Sequence, residues 1–354
     1  MKRGSPADLL VFADSFNRAN GFGALAKSER GYAVGDGDEP SSFKAGPIEL
    51  KPDMPAAEAF QAIARACIRH FGLNEPLLIA RRSAESLHQS RVAMRRLRSA
   101  LSLFKPIATD KKYERFKRGL SDIFHKLGDA RDLDVYCARI ALANVGEHEG
   151  LPPFTLDPGE RVQAERERAY QSAISALQSK RLRQFIQKLV AWIDAGPWCT
   201  SNEPQRQAVR DQAIEDFAGQ VLDRLWRKLK RGGHHLEQLS PEEVHRIRID
   251  AKKLRYGSEF FSSLVTDRKG RKRLKSFIAT LEFLQARLGD LNDIQTQHEI
   301  AAKLARPESA AARVSEAAGA AAHRNEENKR TAALLRSASK AYRHLLDGEP
   351  FWKG

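Results

Sequence analysis

The chain has 354 residues, of which 42% are hydrophobic, and its 60 lysine and arginine residues against 45 aspartate and glutamate residues give a formal net charge of +15. That apolar content supports a hydrophobic core and excludes a globally disordered chain, and no run of about 18 apolar residues is present to cross a membrane. The three cysteines, Cys67, Cys137 and Cys199, show no paired spacing, which argues against a disulfide framework or a cysteine zinc site. We therefore expect a soluble cytoplasmic protein with an anionic partner.

The first 55 residues differ in composition from the rest of the chain. They carry seven basic and eight acidic residues, so the whole positive excess lies after residue 55. They are also rich in glycine, proline, serine and aspartate, as in GDGDEPSSFKAGP at 35–47. This composition is typical of linkers. We expect residues 1–55 to form a poorly ordered or partly helical arm, with one short helix near 7–18 and a boundary near Pro55.

Helical signals dominate from residue 56 to 346. In segment 55–71 the apolar residues recur with a period near 3.6 and stop at Gly72. Ser240-Pro241-Glu242-Glu243 is a strong helix start, with an N-cap serine, a proline at the first position and a glutamate three residues after the cap. The predicted helices are 55–71, 84–104, 110–144, 160–178, 180–195, 206–231, 241–265, 267–305 and 308–346. Loops are expected at 146–159 and 196–204 and a tail at 347–354; strand signals are nearly absent, so the predicted class is all-α.

The chain contains an internal repeat of two sequence blocks. The first block, E-x-x-H-x-x-R-x-x-x-[RK]-[RK]-L-R, runs from Glu85 to Arg98 and again from Glu242 to Arg255. The second block follows each copy some 40 residues later, as KLGDARD at 126–132 and RLGDLND at 287–293. Two blocks repeated in the same order are more specific than either alone. They predict two similar helical halves, about 56–195 and 204–346, related by a pseudo-two-fold axis.

Each copy of the first block places cations on one helix face and apolar side chains on another, at about 100° per residue. The basic faces consist of His88, Arg91, Arg95 and Arg98 in the first copy, and of His245, Arg248, Lys252 and Arg255, with Tyr256, in the second. The apolar faces consist of Leu87, Met94, Leu97, Leu101 and Phe104, and of Val244, Ile247, Leu254 and Phe261. Like charges at these spacings repel, so two such helices indicate a counter-anion.

Arginine-rich stripes suit phosphate, because a guanidinium offers paired donors to two oxygens. A linear polyanion would meet a row of donors about one helical turn, ~5.4 Å, apart. A solvated face is the alternative interpretation of one stripe, but recurrence with a histidine at the matching place argues against it. Three roles stay open for His88 and His245: a structural histidine, a donor to phosphate, or a catalytic base or phosphoacceptor.

Glu85-x-x-His88 and Glu242-x-x-His245 also match the Glu-x-x-His element of di-iron four-helix bundles. Such a site needs further glutamates on facing helices and surroundings without cations. Here Arg91 and Arg95 lie one and two turns from the histidine on its own face, where they would repel a divalent ion. The metal interpretation is therefore the weaker one, and we expect no metal site.

The Leu-Gly-Asp blocks have a packing interpretation and a functional one. Gly128 and Gly289 allow close approach of helices or bend them. Asp129 and Asp290 are predicted supporting acids that hold basic side chains in position, with Lys126 and Arg287 three residues earlier on the same face. Packing is the stronger of the two interpretations.

The duplicated H-x-x-R-x-x-x-[RK]-[RK]-L-R helix, with a Leu-Gly-Asp block after each copy, resembles the CHAD domain, the conserved histidine α-helical domain. The resemblance covers about 56–346. It implies two four-helix bundles facing each other across a basic groove or pore, and inorganic polyphosphate as the ligand, often on cytoplasmic polyphosphate granules. The residues expected to bind the polyanion are His88, Arg91, Arg95, Arg96, Arg98, Lys126, Arg131, His245, Arg248, Lys252, Lys253, Arg255, Tyr256 and Arg287.

The N-terminal arm carries a second, smaller resemblance. The segments AKSERGYA at 26–33 and FKAGP at 43–47 resemble the connector between a CYTH (triphosphate tunnel) domain and CHAD. The strand-borne E-x-E-x-K of the CYTH barrel is missing; Glu165-Arg-Glu-Arg168 has partial spacing but sits in a helical stretch. The chain is thus expected to be a stand-alone CHAD protein without triphosphatase activity.

The expected function is non-enzymatic binding of polyphosphate, with no cofactor, no catalytic residue and no membrane insertion. An RNA phosphate-backbone binder is the alternative within binding, although binders of bases interleave aromatic residues and the basic faces offer only Tyr256. A metal-dependent phosphohydrolase is the alternative from another class, without a Walker A loop or a His/Asp metal cluster to support it.

Overall fold

The computed structural model describes residues 41–144, 160–233, 236–304 and 312–353. They form eleven α-helices: α1 (Ala56–Arg81), α2 (Ala84–Leu103), α3 (Lys105–Ala108), α4 (Tyr113–Asn144), α5 (Glu160–Gln178), α6 (Lys180–Ala195), α7 (Pro204–Asp211), α8 (Ile214–Gly232), α9 (Pro241–Phe260), α10 (Arg268–Leu304) and α11 (Ala312–Asp347). Within this part of the chain there is no strand beyond one isolated bridge between Pro55 and Ala213, which confirms the all-α class. None of its helices is long and apolar enough to cross a membrane.

The described residues divide into two compact units. The first comprises the residues up to Arg131, with Ala169–Val221 and Phe260–Leu264. The second comprises Asp132–Arg168, Leu222–Glu259 and Val265–Gly354. The two copies of the repeated blocks fall into different units, apart from Asp132, the last residue of the 126–132 segment. The halves at 56–195 and 204–346, and their pseudo-two-fold relation, stay predictions.

Aromatic side chains build the core of the first unit, where α1 packs along α2. Phe104 stacks on Phe217 with ring centroids 4.7 Å apart, and Phe60 contacts Phe104 at 5.2 Å. Trp198 meets Phe60 edge-on at 5.4 Å. Phe104 also contacts its repeat counterpart Phe261, at 6.1 Å. These rings bury the apolar face of α2 and so orient the basic face of that helix away from the core.

Residues 41–55 were expected to belong to the poorly ordered arm, yet they pack into the first unit. Ile48 and Leu50 are buried. Phe43 forms a paired contact with Asn74, donating its N–H to Oδ1 and accepting from Nδ2, both at 2.9 Å. The Nε2–H of buried His70 also donates to the Phe43 carbonyl, at 2.9 Å. Residues 41–55 are therefore an ordered part of the first unit; residues 1–40, with the helix predicted near 7–18, lie outside the described residues.

Three predicted helices differ from the structure: the predicted helix 241–265 ends at Phe260, and two others differ because of packing. Helix α1 does not stop at Gly72 but continues to Arg81, through Pro76, because Leu73, Leu77 and Leu78 are buried and hold its second half against the unit. The predicted helix 206–231 is instead two helices, α7 and α8, broken at 212–213. There the chain pairs with the N-terminal segment, as the N–H of Ala56 donates to the Gln212 carbonyl at 2.9 Å. The predicted loop 146–159 lies outside the described residues.

The second unit has its own aromatic cluster, which includes the chain's C-terminal end. Trp226, Phe277, Phe351 and Trp352 contact one another with ring centroids 4.9 to 6.4 Å apart. The indole N–H of Trp352 donates to Asp223 at 2.9 Å. The expected tail at 347–354 is thus docked by Phe351 and Trp352 on the second unit.

Candidate functional site

Helix α2 carries the first basic stripe, which consists of His88, Arg91, Arg95 and Arg98. The helix begins after Ser83, whose Oγ accepts the N–H of Ser86 at 3.4 Å. The predicted apolar face is confirmed, because Leu87, Met94, Leu97, Leu101 and Phe104 are all buried. All four stripe residues are half-buried. The amphipathic pattern therefore places a row of cations at the border between core and solvent.

Two arginines of the first stripe share one aromatic ring. The guanidinium carbons of Arg91 and Arg98 lie 4.5 and 5.0 Å from the ring centroid of Phe124, which projects from α4. Arg91 also donates from Nη1 to the Phe124 carbonyl at 3.4 Å. Stacking on a ring face fixes a guanidinium while its in-plane N–H groups can still donate elsewhere. Burial lowers the pKa of Arg98, but the group stays charged.

Gly128 gives the Arg91 guanidinium room. A Cβ atom at this position would come within 2.8 Å of Arg91 Nη1. Its repeat counterpart, Gly289, has no atom within 4 Å of the same position. The packing interpretation of Gly128 is therefore specific: the missing side chain accommodates a side chain of the predicted site rather than another backbone.

His88 lies in cationic surroundings. Partial burial lowers its pKa most, and Arg131 and Arg95 lower it further, while Glu85 raises it. At neutral pH the ring is therefore uncharged, with one N–H donor and one acceptor. An anion bound near the ring would raise the pKa of His88 and favour the charged form, which has two N–H donors.

The remaining first-unit residues of the predicted site are dispersed. The Nε atom of Arg95 is buried and has no hydrogen-bond partner among the described residues. The guanidinium carbon of Arg96 lies 5.2 Å from the ring centroid of buried Phe260, so Arg96 contacts a different ring from Arg91 and Arg98. Lys126 and Asp129 are exposed. Lys126 lines a cavity of about 420 Å³ between α4 and the start of α6.

Helix α9 carries the second basic stripe, which consists of His245, Arg248, Lys252 and Arg255. Its predicted capping box is confirmed: the Ser240 N–H donates to Glu243 at 2.8 Å and the Glu243 N–H to Ser240 Oγ at 3.3 Å. Its apolar face is confirmed too, with Val244, Ile247, Leu254 and Phe261 buried. His245 is exposed, whereas Arg248, Lys252 and Lys253 are half-buried.

Carboxylates and an amide enclose Arg255. It donates to Gln285 Oε1 at 3.0 Å and pairs with Glu282 at 3.4 Å and with Glu259 on its own helix. Its guanidinium also lies 4.5 Å from the centroid of the Tyr256 ring. Tyr256 is only 2% exposed, which corrects its assignment to the exposed basic face: it is a core residue under Arg255.

The second Leu-Gly-Asp block forms the predicted acid–base contact. Arg287 pairs with Asp290 three residues later at 3.4 Å, so Asp290 positions a basic side chain as expected of a supporting acid. Arg287 also lies 5.1 Å from the ring centroid of Phe283, which is 48% exposed. In the first block Asp129 makes no such pair with Lys126 among the described residues.

Sequence reasoning missed the residues that surround the stripes. Phe124, Glu259, Glu282 and Gln285 were not singled out, although they decide the surroundings of Arg98 and Arg255. A weak signal was present, since Phe124 and Gln285 lie four residues before Gly128 and Gly289 and therefore on the same helix face. The spacing alone could not show which cation each residue contacts.

The Glu-x-x-His positions of the metal alternative lie near the starts of α2 and α9. Glu85 accepts a hydrogen bond from Gln89 Nε2 at 2.9 Å. In the described part of the chain, no three or more histidine, cysteine, aspartate or glutamate side chains are grouped so that they could hold a metal ion. The Glu-x-x-His spacing therefore has no further ligands gathered around it in that part.

Comparison with known proteins decides the family. A family model described as the CHAD domain matches residues 62–302. The chain belongs to the CHAD family. No curated protein matches it. The crystal structure of the CHAD domain from the plant Ricinus communis is similar, with a TM-score of 0.70 and 27% identity over 87% of this chain and 97% of that one. PptA from Streptomyces chartreusis shares the fold, with a TM-score of 0.56 and 17% identity over 83% of this chain and 100% of PptA.

Proposed function

We propose that this CHAD protein binds inorganic polyphosphate through its basic stripes. The observation that carries the proposal is the arrangement of Arg91 and Arg98 over Phe124, beside Arg95 and His88. A row of half-buried cations spaced by one helical turn suits the closely spaced charges of a linear phosphate chain. Membership of a family linked to polyphosphate binding supports the same ligand.

In this proposal each stripe residue has a separate task. The guanidiniums neutralise successive phosphates, and Arg91 and Arg98 are held for this by the Phe124 ring. His88 donates a hydrogen bond and gains a proton as the anion approaches. Because such binding releases counterions, the affinity falls steeply with salt; binding that is unchanged in 0.5 M salt would contradict the electrostatic mechanism.

The test is a binding titration with long-chain inorganic polyphosphate. We expect R95A/R98A to bind at least about tenfold more weakly than wild type, since charged hydrogen bonds are lost. The matched control is K111A/K112A, which removes the same charge from exposed positions on the loop before α4 and should change affinity by less than about threefold. Equal losses of affinity in both variants would show that binding depends only on net charge, which would contradict the assigned site.

RNA is the second candidate, and one observation favours it. Phe283 is 48% exposed beside Arg287, which is an arrangement on which a base could stack. The two ligands separate in competition at equal phosphate concentration. If RNA displaces long polyphosphate, and F283A weakens RNA binding while leaving polyphosphate binding intact, RNA is the better ligand.

We propose that the protein binds polyphosphate without cleaving it and associates with polyphosphate granules in the cytoplasm. Release of phosphate from polyphosphate with added Mg²⁺ or Mn²⁺ would overturn the first statement, and stoichiometric iron or manganese in the purified protein would revive the di-metal alternative. Fractionation of granules from cells that express wild type or R95A/R98A tests the second: only wild type should sediment with the granules.

A further inference from the structure

The two basic stripes differ in how far the chain's own carboxylates neutralise them. We infer that the first stripe, on α2, supplies most of the affinity for polyanions, and that the second stripe, on α9, contributes less because its Arg255 is neutralised within its own unit. The inference rests on the proposed function. It is carried by two pairs of repeat-equivalent cations whose surroundings have diverged.

The first pair is Arg98 and Arg255. Arg255 is held by Glu259 and Glu282 and donates to Gln285. The repeat places Ser102, Ser121 and Phe124 at the corresponding positions of the first copy. Arg98 accordingly lies over the Phe124 ring, and no carboxylate among the described residues is within ion-pair distance of it. Equivalent arginines thus have an acidic enclosure in one copy and an aromatic platform in the other.

The second pair, Lys126 and Arg287, lies outside the stripes, in the Leu-Gly-Asp blocks of α4 and α10. Arg287 forms an ion pair with Asp290 at 3.4 Å. Asp129 occupies the corresponding position in the first copy, three residues after Lys126, but both side chains are exposed and the described residues show no ion pair between them. The same divergence therefore recurs at a second, separate position.

The helix compositions agree with the contacts. Segment 85–104 carries four arginines and one glutamate, whereas segment 242–261 carries five cations and four carboxylates. One of those carboxylates, buried Asp250, is engaged by Lys228 at 2.9 Å. The first helix keeps a clear positive excess, and the second is close to neutral.

The difference matters for a phosphate that arrives from solvent. To reach Arg255, it must displace Glu259 or Glu282, or approach two carboxylates that repel it. To reach Arg98, it displaces only water, because the aromatic ring carries no charge.

The first experiment compares the equivalent arginines in full-length protein titrated with long-chain inorganic polyphosphate. We expect R98A to weaken binding about tenfold and R255A less than about threefold. If the wild-type protein does not bind polyphosphate, the proposed function fails. If wild type binds and R255A costs as much as R98A, the function stands and the asymmetry is wrong.

The second experiment exchanges the surroundings of the two arginines. S102E/S121E brings the acids of the second copy to Arg98 and should weaken binding about tenfold, while S102Q/S121Q, which has the same bulk without charge, should bind like wild type. E259S/E282S frees Arg255 and should strengthen binding at least about twofold. Unchanged affinity in S102E/S121E, or an equal loss in the Gln and Glu variants, would overturn the inference.

Discussion

At the scale of single residues, the cations of the first stripe are placed by their own helix, and two of them, Arg91 and Arg98, are then oriented by the Phe124 ring. The spacing of His88, Arg91 and Arg95 determines that they share one helix face, because an α-helix turns by about 100° per residue. The ring under Arg91 comes from α4, more than 30 residues away, and no local rule specifies that contact. The assignment of Tyr256 failed for the same reason: a residue at the edge of a stripe is buried or exposed according to what packs against it.

Gly128 provides a prediction that separates binding from stability. G128A adds a Cβ atom that would lie within 2.8 Å of Arg91 Nη1, so the guanidinium must move from the Phe124 carbonyl. We expect polyphosphate affinity to fall about fivefold, the equivalent of one hydrogen bond. The melting temperature should stay or rise, because alanine favours a helix over glycine by about 1 kcal/mol. G289A, where the added atom meets nothing within 4 Å, should leave affinity unchanged; an equal loss there would contradict the role of Gly128.

His88 predicts a pH dependence of binding. In the unliganded protein, burial and then Arg131 hold its pKa below the ordinary value, and a bound polyanion favours the charged ring. Because the pKa is higher in the bound state, affinity should increase as pH falls, by roughly fivefold between pH 8 and pH 5. The measurement is a titration at both pH values for wild type, H88Q and H245Q. Loss of the pH dependence in H245Q but not in H88Q would contradict this assignment.

At the scale of elements, most helices were predicted to within a few residues, and the errors have one cause. Helix α1 continues beyond Gly72 and Pro76 because its second half is packed in the core and because Asn74 binds the extended segment at Phe43. The break between α7 and α8 likewise occurs where the N-terminal segment pairs with the chain. Intrinsic helix propensities reflect only local interactions, so they could not predict contacts with a distant segment.

The same half of α1 contains Glu75, which predicts how stability depends on pH. Burial raises its pKa to about 7, against a smaller opposing effect of Arg183. An acid whose folded-state pKa is raised stabilises the fold while it is protonated, and this contribution is lost as pH rises through about 7. E75Q should therefore exceed wild type in unfolding free energy by about 2 kcal/mol at pH 8, less than the full shift implies because the side chain retains some solvent contact.

Urea denaturation of E75Q and wild type at pH 4 and pH 8 checks this prediction. At pH 4, below the ordinary pKa of a glutamate, Glu75 is mostly neutral in both the folded and the unfolded chain, so the unfolding free energies of E75Q and wild type should agree closely. A matched variant, E58Q, alters a surface carboxyl in the first turn of the same helix and should show no comparable gain at pH 8. An E75Q variant that is less stable than wild type at pH 8 would show that the attraction of Arg183 for the charged carboxylate outweighs burial.

At the scale of the whole molecule, the net charge of +15 is a poor guide to where a polyanion binds. The repeat identified two equivalent stripes and led to the family resemblance, whereas the all-α class came from the helical periodicity. The repeat could not reveal that Arg255 pairs with Glu259 and Glu282, and Arg287 with Asp290, while Arg98 has no carboxylate partner among the described residues. Glu259 and Glu282 lie outside the shared blocks. The Arg287–Asp290 pair depends on side-chain geometry, which a sequence motif does not specify.

Salt titration measures this difference without relying on absolute affinities. For a single-stranded polyanion, each neutralised phosphate contributes about 0.7 to the slope of log affinity against log salt. Removing Arg98 should lower the slope by about 0.7. Arg98 has no carboxylate partner among the described residues, so without it the polyanion releases about one counterion fewer on binding. Removing Arg255 should lower it by less than about 0.3, since Glu259 and Glu282 already balance that charge. If both variants lower the slope equally, Arg255 engages phosphate as fully as Arg98, and the acids around it must move aside when the polyanion binds.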